Sequence, residues 1–443
     1  MPRRVAAGAD PRRVAFEVLE RVATTGAFAD VLLSHRLESA GLEGADRGLA
    51  TELVYGTLTW QGRIDHHLSS LVRGGLGALD LPVLLSLRLG LYQLLFLDRV
   101  PAYAAVDGSV RLAGSSGRGA KGLVNAVLRR ASRLGRSGLS LPDAADPIAR
   151  LAVEWSHPRW LVERWAGELG LDVLPRALEA NDWPAATVLR TNLRRTTRAA
   201  LLTELREAGL AAVEGAYVPT AIVIERAAGR LRSLAAYREG RFAFQGEASQ
   251  LVASLATGPR VLDACAGAGG KTLAIAERLG SEGMVVAMDP MRAGLRRLVA
   301  ERRRLGEPAA PAIAADARRP ATRKQFDTVL VDAPCSGLGT LRQHPELRWH
   351  RRPEDIPRLA ELQLQILAGV AQLVVAGGAL VYAVCTQTTE ETTGVTDAFL
   401  AAHPRFAVEP LAIACAGADG FLRTAPHTHG LDGFFAARLR AAS

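Results

Sequence analysis

The sequence predicts a multidomain protein: an all-α N-terminal domain, a small α/β linker subdomain and a C-terminal doubly wound α/β domain. The chain has 443 residues, which exceeds the usual size of a single domain. Its N-terminal part repeats apolar residues at three- and four-residue spacing, as amphipathic helices do. Its C-terminal part instead alternates short apolar runs with helical segments, which is typical of a parallel sheet.

Residues 12–135 are predicted to be helical throughout. Short Gly, Pro and Asp punctuation separates the helical segments, so about five to seven helices are expected. The segments with helical spacing are RRVAFEVLERV, ADVLLSHRL, RGLATELVYGTLTWQGRIDHHLSSLV, PVLLSLRLGLYQLLFL and KGLVNAVLRRASRL. We assign the helical domain to residues 1–145 and interpret arginines such as Arg12, Arg13, Arg129 and Arg130 as a solvated face.

Residues 146–240 are predicted to link the two larger domains. A polar, Pro-containing stretch, SGLSLPDAADP, is followed by a helix around HPRWLVERWAGELG. A strand, a helix and a short strand, AIVIE, come next in the pattern. This order predicts a small α/β subdomain near residues 185–240.

Residues 241–443 are predicted to form strands joined by crossover helices, which specify a parallel doubly wound sheet. The predicted strands are RVLDACAG, MVVAMD, AAPAIAAD, FDTVLVDAP and GALVYAVCT, and GFFAARLR is expected to add an antiparallel edge strand. Ligands of such sheets bind beyond the carboxyl ends of the strands. In this chain the turns at that edge begin at Asp263, Asp289, Asp316, Asp332 and Cys385.

Composition restricts the partners and the compartment. The formal net charge is +9, with the excess mainly in the N-terminal domain, which favours a polyanionic partner such as RNA. The four cysteines never form a close pair, which argues against a disulfide framework or a zinc cluster and favours a reducing cytoplasm. No apolar run is long enough to span a bilayer, and the start lacks the apolar segment of a secretory signal. We therefore expect a cytoplasmic protein that binds neither a metal nor a membrane, with a monomer as the default.

The stretch DACAGAGGKT, from Asp263 to Thr272, resembles three kinds of nucleotide-binding turn. A triphosphate loop requires its first glycine where this chain has Cys265, so an NTPase is disfavoured. A dinucleotide turn requires a third glycine where Thr272 stands, so a dehydrogenase is possible but disfavoured. S-adenosylmethionine has no phosphates, so the turn need only bring backbone amides near its carboxylate. Asp289 is then placed to accept the ribose hydroxyls and Asp316 the adenine amino group, which favours S-adenosylmethionine.

Two further turns at the same sheet edge carry cysteines. Cys335 follows the strand that delivers Asp332, and Cys385 follows the next strand. Because the two strands are expected to be adjacent, the two thiols should converge. A buried cysteine is usually a small apolar residue, and that is how we interpret Cys415. Two cysteines that face a cofactor pocket are better explained as reactive thiols.

The motifs DACAGAGGKT, DAPCSGLGT and YAVCT closely resemble those of RNA cytosine-C5 methyltransferases. The N-terminal segments DRGLATELVYGTL and NAVLRR resemble the NusB-type RNA-binding domain. The combination resembles, over essentially the whole chain, the bacterial small-subunit ribosomal RNA cytosine-C5 methyltransferases of the Sun/Fmu type. The resemblance implies a class I, Rossmann-like domain that uses S-adenosylmethionine. It also implies 16S ribosomal RNA, or a small-subunit precursor, as the substrate.

The resemblance implies a role for each candidate residue. Cys385 matches the family's nucleophile, which adds to carbon 6 of cytosine, and Cys335 matches the cysteine that helps to release the product. Asp332 would stabilise the adduct through the ring nitrogen or amino group, and Lys271 would position the base or lower the pKa of a thiol. The implied cofactor contacts are Cys265, Ala266, Gly267, Ala268, Gly269, Gly270, Lys271, Asp289, Asp316 and Asp332.

The chain departs from the family pattern at three places. It has AGAGG, FQGEAS and YAVCT where AAPGG, FQDEAS and YATCS are usual, and Gly246 thereby removes a carboxylate. The segment WHRR, from Trp349 to Arg352, is expected near the pocket mouth, where it would hold the RNA strand, with a plain solvated loop as the alternative. Two other functions remain open: a tRNA cytosine-C5 methyltransferase, and a non-catalytic RNA-binding assembly factor with a vestigial cofactor fold.

Overall fold

The structure of the protein, a computed structural model, describes residues 10–143, 145–225, 228–307 and 310–443. The first nine residues of the predicted helical domain therefore lie outside the described residues. The chain forms two compact units: the first holds the described residues up to Trp183 together with Leu341–Pro353, and the second holds the remainder. The chain thus leaves the second unit after Thr340 and returns to it at Glu354. The three predicted domain boundaries stay a prediction.

Seven α-helices occupy the predicted helical region, within the expected range for residues 10–143. They are α1 (Pro11–Thr25), α2 (Ala29–Ser39), α3 (Gly44–Thr59), α4 (Gln61–Leu71), α5 (Leu81–Phe96), α6 (Ala102–Leu112) and α7 (Arg118–Leu134), with short 3₁₀ turns at Leu76–Ala78 and Ala113–Ser116. Helix α1 shows how local sequence sets the ends. The Asp10 side chain accepts from the Arg12 amide at 3.0 Å, and Gly26 stops the helix at φ 66°.

The core of this region lies around α5. Its Leu85, Leu87, Leu89 and Leu91 are each at most 2% exposed, because apolar side chains cover all faces of the helix. No helix in the described part of the chain is long and apolar enough to cross a membrane. Arg12 is not on a solvated face as predicted, since its Nε donates to the Gln93 side chain of α5 at 2.8 Å.

Two helices differ from the sequence prediction. The segment predicted as one helix from Arg47 forms α3 and α4, because the Trp60 backbone leaves the helical conformation, at φ −94° and ψ 13°. The Trp60 ring stacks on Phe96 at 4.7 Å between centroids. Helix α6 is absent from the prediction, since its sequence AYAAVDGSVRL has few large apolar residues to reveal a period.

The first unit is completed by three helices and one distant segment. The helices are α8 (Pro147–Glu154), α9 (Arg159–Leu169) and α10 (Leu174–Asp182), of which only α9 is predicted, and the segment carries the helix Leu347–His350, numbered α16 in chain order. Trp349 donates its indole N–H to the Leu58 carbonyl at 2.6 Å. This donor is therefore used inside the first unit, and the prediction that WHRR holds RNA stays a prediction.

The second unit begins with a small antiparallel sheet, as predicted for the α/β subdomain. Its elements are β1 (Thr187–Thr191), α11 (Arg198–Glu207), β2 (Ala212–Glu214), β3 (Ala221–Ile224), a 3₁₀ turn (Ala228–Ser233), α12 (Ala235–Arg238) and β4 (Phe242–Phe244). The strand order is β2-β3-β1-β4. Leucines of α11 pack with Leu189 and Ile222 to form the core of this subdomain.

An eight-stranded sheet forms the rest of the second unit, in the order β10-β12-β9-β8-β5-β6-β7, with β11 paired to β12. Its strands are β5 (Arg260–Asp263), β6 (Met284–Met288), β7 (Ala312–Ile313), β8 (Phe326–Asp332), β9 (Val374–Val384), β10 (Phe406–Val408), β11 (Leu422–Thr424) and β12 (Phe434–Ala441). Its helices are α13 (Glu247–Ser254), α14 (Gly270–Leu279), α15 (Arg292–Leu305), α17 (Asp355–Ala371), α18 (Thr393–Ala402) and α19 (Pro426–His429), with 3₁₀ turns at Leu338–Thr340 and Thr389–Glu391. Strands β5 to β9 pair in parallel, which confirms the predicted doubly wound domain.

Two strands correct the prediction for this sheet. Strand β12 is antiparallel to β9 as expected, but it is not an edge strand, because β10 pairs with its other side. The sequence of β10 is only three residues long, too short for alternation to be visible. Strand β7 ends at Ile313, so Asp316 lies in the turn beyond the strand and does not end it.

Candidate active site

The candidate residues gather at the carboxyl ends of neighbouring parallel strands. Asp263 ends β5 and Asp332 ends β8, while Asp289 directly follows β6 and Cys385 directly follows β9. These strands are adjacent in the order β9-β8-β5-β6. Because the carboxyl ends of parallel strands meet at one edge of the sheet, the topology brings these side chains to one site.

Two glycines shape the turn between β5 and α14. Gly267 and Gly269 have φ values of 54° and 87°, a region that strains other residues. A Cβ at Gly269 would also lie 2.4 Å from Leu298 Cγ, whereas a Cβ at Gly267 would have no atom within 4 Å. The turn is therefore packed against α15 on one side and open beside Gly267, where a ligand can approach the backbone.

The two predicted cofactor acids behind this turn differ. Asp289 is fixed against the turn: Oδ2 accepts from the Gly267 amide at 2.8 Å and Oδ1 from the Met291 amide at 2.7 Å. Asp316 instead pairs with Arg318 at 2.6 Å, and the Arg318 side chain lowers the pKa of Asp316. A carboxylate oxygen can accept two hydrogen bonds, so Asp289 retains capacity for ligand hydroxyls.

A lysine and an aspartate form an ion pair at the same edge. Lys271, in the first turn of α14, donates to Asp332 Oδ2 at 2.5 Å, with the two side chains 10% and 30% exposed. Its Nζ lies 5.2 Å from the centre of the Phe434 ring. Burial is the largest single influence and lowers the pKa of Lys271, but the charge of Asp332, its hydrogen bond, and the nearby Cys385 and Asp263 together raise the pKa above its usual value. Lys271 is therefore held as an ammonium ion.

The two predicted reactive cysteines are in contact. Cys335 Sγ lies 3.2 Å from Cys385 Sγ, so the convergence expected from the sequence is observed. The Gly339 amide donates to the Cys385 carbonyl at 2.9 Å and joins the two turns. The hydrogen bond to Cys385, and then burial, raise the pKa of Cys335 well above its usual range. Cys335 therefore favours its protonated form, and the two sulfurs lie within hydrogen-bonding distance of each other.

The other two cysteines have different surroundings. Burial, with four nearby carboxylates, raises the pKa of Cys265 well above its usual range, which favours its protonated form. Cys415 adopts a left-handed backbone at φ 64°, and burial raises its pKa as well. The pair formed by Cys335 and Cys385 is therefore distinct from both.

Two acids near the site are engaged in the fold. Burial raises the pKa of Asp263 to about 6, and its Oδ2 accepts from Thr272 Oγ1 at 2.6 Å, which connects β5 to α14. Gly246 lies at the N-terminal cap of α13, and the carboxylate of the next residue, Glu247, accepts from the Val218 amide at 2.8 Å. The glutamate of FQGEAS thus holds the subdomain loop, and the missing acid at Gly246 is not replaced by it.

The sequence analysis did not identify Glu391. Its side chain is fully buried, and its carboxylate accepts from the Ser336 amide, from Gln363 and from Thr388. The only available signal was its position in TQTTEETTG, shortly after Cys385. Nothing in that segment distinguishes Glu391 from Glu390, because the burial of one of them is decided by the turn.

Three families match separate parts of the chain. The family described as 16S rRNA methyltransferase RsmB/F matches residues 251–440, and the NusB family matches residues 9–133. The family described as the RsmF/B-like methyltransferase ferredoxin-like domain matches residues 157–229.

Relatives and solved structures agree with this. A Bacillus subtilis protein named "Probable ribosomal RNA small subunit methyltransferase B" is 35% identical, with 97% of this chain and 98% of that protein covered. The Pseudomonas putida "Ribosomal RNA small subunit methyltransferase B" is 38% identical, with 89% and 90% covered. The crystal structure of PH0851 aligns with a TM-score of 0.84 at 26% identity, covering 97% of this chain and 99% of that one.

A second solved structure shares the fold alone. NSun6 from Pyrococcus horikoshii, solved with SFG, aligns with a TM-score of 0.58 at 22% identity, covering 65% of this chain and 98% of that one. The full-length similarity and the matched domains together carry the assignment. The chain belongs to the RsmB/F family of 16S rRNA methyltransferases, with a NusB-family domain and a ferredoxin-like domain before its methyltransferase domain.

Proposed function

We propose that this protein methylates carbon 5 of a specific cytosine in 16S ribosomal RNA through a covalent bond between Cys385 and carbon 6. The observation that carries the proposal is the pair of thiols, 3.2 Å apart, at the sheet edge that also holds the Lys271–Asp332 ion pair. Many methyltransferases need no thiol, because their target atom is already nucleophilic. Carbon 5 of cytosine is not, and a thiolate that adds to carbon 6 gives it enamine character.

Lys271 and Asp332 support the addition step in this proposal. The attraction between Lys271 and Cys385 helps to raise the pKa of Lys271, so the ammonium and a Cys385 thiolate stabilise each other. Asp332 remains 30% exposed, which leaves it accessible to a base in the site. It would hydrogen bond to the ring nitrogen or amino group and stabilise the adduct as charge moves onto the ring.

Cys335 acts in the release step. A base removes the proton from carbon 5, the electrons of that bond form the double bond between carbons 5 and 6, and the electrons of the carbon–sulfur bond return to Cys385. The Cys335 sulfur lies 3.2 Å from the Cys385 sulfur, so its S–H would donate to Cys385 and stabilise the returning negative charge. The raised pKa of Cys335 suits it to this role, because Cys335 keeps its proton at neutral pH.

S-adenosylmethionine would supply the methyl group, which it carries on a positively charged sulfur. The turn is open beside Gly267, and Asp289, fixed behind the turn, has acceptor capacity for two ribose hydroxyls. We propose that the cofactor contacts are Cys265, Ala266, Gly267, Ala268, Gly269, Gly270, Lys271, Asp289, Asp316 and Asp332. Calorimetry with S-adenosylmethionine tests this proposal. A vestigial site would give no heat of binding, and Asp289→Asn should bind more weakly than the wild type.

The names of the relatives, the N-terminal domain and the net charge support the choice of substrate. The relatives in Bacillus subtilis and Pseudomonas putida are named for the small ribosomal subunit RNA, and the chain carries a NusB-family domain and a net charge of +9. We propose 16S ribosomal RNA or its precursor particle, in the cytoplasm, as the substrate.

Bisulfite mapping of RNA from a deletion strain tests the choice of RNA. The proposal expects one 5-methylcytosine of 16S ribosomal RNA to disappear and to return with the restored gene. Loss of a tRNA mark with 16S RNA unchanged would contradict it, and would favour the tRNA methyltransferase.

A further inference from the structure

We propose that Glu391 is a positioning residue that holds the Cys335 turn and the Cys385 turn together, so that the two sulfurs stay in contact. This inference rests on the proposed function of the two cysteines. Glu391 lies in the short 3₁₀ turn Thr389–Glu391 and its side chain is fully buried. Its carboxylate accepts hydrogen bonds from residues near the two cysteines, Ser336 and Thr388, and acts through them.

The carboxylate of Glu391 links the two turns directly. Oε1 accepts from the amide of Ser336, which follows Cys335, at 2.8 Å, and from Gln363 Nε2 at 3.0 Å. Oε2 accepts from Thr388 Oγ1, in the turn after Cys385, at 3.0 Å. One oxygen therefore serves the Cys335 side and the other serves the Cys385 side.

A second contact between the turns lies next to the first. Ser336 Oγ donates to Thr386 Oγ1 at 3.0 Å, and each of these residues directly follows one of the two cysteines. Both side chains are fully buried, so water does not compete for the contact. Without the Glu391 carboxylate, the Ser336 amide would lose the acceptor that fixes this turn.

Helix α17 and strand β9 hold the glutamate in place. Gln363 on α17 also donates to the Pro334 carbonyl at 3.0 Å, and Tyr382 on β9 donates to Gln363 Oε1 at 2.9 Å. Gln363 and Tyr382 are both fully buried. The network thus transmits the rigidity of the sheet and helix to the cysteine turns, as a preorganised site requires.

The chemistry of these contacts makes two substitutions informative. Three donors converge on Glu391, so Glu391→Ala removes every acceptor and leaves a cavity. In Glu391→Gln the amide oxygen still accepts from Ser336, while the amide nitrogen donates to Thr388, whose hydroxyl can accept as well as donate. The glutamine variant therefore preserves the positions of the turns without the charge, and the alanine variant does not.

Steady-state methyl transfer is the first test. Misplacement of a reacting group by about 1 Å can lower a rate by about 100-fold, so Glu391→Ala should lower kcat by about that factor. The dissociation constant for S-adenosylmethionine should stay within about two-fold, because the cofactor turn makes no contact with Glu391 in this network. Glu391→Gln should recover to within about ten-fold of the wild type. Glu361→Ala, on the exposed face of α17, is the matched control.

The second test reads the thiol geometry without any methyl transfer. Diamide accepts the two hydrogens of Cys335 and Cys385 and is reduced to the hydrazine as the disulfide forms, which peptide mass spectrometry quantifies. The contact at 3.2 Å predicts fast oxidation in the wild type and in Glu391→Gln. Glu391→Ala should oxidise the pair at least about ten-fold more slowly, because the sulfurs separate.

The outcomes separate the inference from the proposed function. Wild-type oxidation and wild-type kcat in Glu391→Ala would overturn the positioning role, whatever the reaction of the enzyme. If the oxidation rates follow the prediction but no variant or wild-type protein methylates RNA, the proposed function fails and the positioning role stands. If Glu391→Ala does not fold, Thr388→Val is the substitute, because it removes the hydrogen bond from Thr388 to Glu391 and keeps the shape of the side chain. Thr388→Val should show smaller losses in both assays, and wild-type values in both would overturn the inference.

Discussion

Each unit contains a cation–carboxylate pair with a largely buried cation, and the two pairs differ in the exposure of the carboxylate. In the first unit Arg348 lies 2.6 Å from Asp182, with side chains 0% and 3% exposed. Arg348 also donates to the carbonyls of Ser156 and Asn181, at 3.0 and 3.2 Å. In the second unit Lys271 lies 2.5 Å from Asp332, and the aspartate is 30% exposed.

We interpret the first pair as a support of the fold and propose that the second pair supports the chemistry. The guanidinium of Arg348 makes several hydrogen bonds at once and is closed to any ligand, as suits an anchor for the segment Leu341–Pro353. The Lys271 ammonium is a compact charge, and its partner Asp332 stays accessible at the edge where Cys335 and Cys385 meet. The cations of both pairs are largely buried, so the exposure of the carboxylate is what distinguishes the two pairs.

Arg348→Met should break the first pair with the largest effect on folding. Removal of one partner of a buried ion pair typically costs about 3–5 kcal/mol, because the other charge is left uncompensated. The free energy of unfolding of the first unit, from hydrogen exchange of its peptides, should fall by about that amount. Arg111→Met removes an exposed pair with Asp107 in the same unit and should change this free energy by less than about 1 kcal/mol.

The double variant Arg348→Met with Asp182→Leu sharpens this prediction. Two apolar side chains of similar volume should recover part of the lost stability, since no unpaired charge remains. Equal losses in the single and double variants would show that packing of the segment, rather than its charge, decides the stability.

Lys271→Met should affect activity far more than stability. Methyl transfer should fall by about 10²–10³-fold, the range found when a group that stabilises a developing charge is removed. The free energy of unfolding of the second unit should change by less than about 1 kcal/mol, because water can hydrate the partly exposed Asp332 when Lys271 is removed. Lys324→Met, at an exposed lysine, is the matched control and should leave both unchanged. A large loss of stability in Lys271→Met would contradict the distinction between the pairs.

His67 in the first unit and Asp263 in the second unit should change stability in opposite directions as the pH falls. Burial lowers the pKa of His67 to about 4, below the ordinary 6.5, so the unfolded chain binds more protons between these values. The contribution of His67 to the stability of the first unit should therefore fall by about 1–2 kcal/mol between pH 7 and 5, whereas burial raises the pKa of Asp182 in the same unit to about 7 and acts in the opposite direction. Burial raises the pKa of Asp263 in the second unit to about 6, which contributes stability as the pH falls toward 4. Hydrogen exchange at both pH values measures the two units separately.

His67→Leu provides the control for this prediction. The variant removes one group that titrates, so acidification from pH 7 to 5 should change the stability of the first unit by about 1–2 kcal/mol less unfavourably than in the wild type. A dependence on pH should remain, because burial, and then Arg348, also lower the pKa of His157. An unchanged slope in His67→Leu would show that other groups cause the acid sensitivity.

Much of the second unit could be predicted because its residues are informative locally. Continuous apolar runs gave the parallel strands, and the residues at their carboxyl ends gave Asp263, Asp289, Asp332 and the two cysteines. The failures have a physical pattern. Strands β10 and β7 are three and two residues long, which is too short to show an alternation of apolar and polar residues. The placement of Trp349 and Arg348 depends on the segment Leu341–Pro353, which belongs to the first unit although the residues on both sides of it belong to the second. Such long-range placement leaves no trace in local spacing.

The same reasoning explains why Glu391 was missed and Cys385 was found. A cysteine directly after an apolar strand is rare enough to attract attention by itself. A glutamate in a polar turn resembles any solvated acid until the structure shows three donors converging on it. The residues that we propose to react follow strands that are visible in the sequence, whereas the residue that we propose to position them is recognised only in the fold.

The central claim is that Cys385 bonds to the base and Cys335 releases it, and a covalent adduct tests it most directly. After incubation with S-adenosylmethionine and small-subunit RNA, Cys335→Ser should accumulate a protein–RNA band on a denaturing gel. The double variant with Cys385→Ser should give no band, and Cys385→Ser alone should not methylate RNA. Methylation by Cys385→Ser at the wild-type rate would contradict the account.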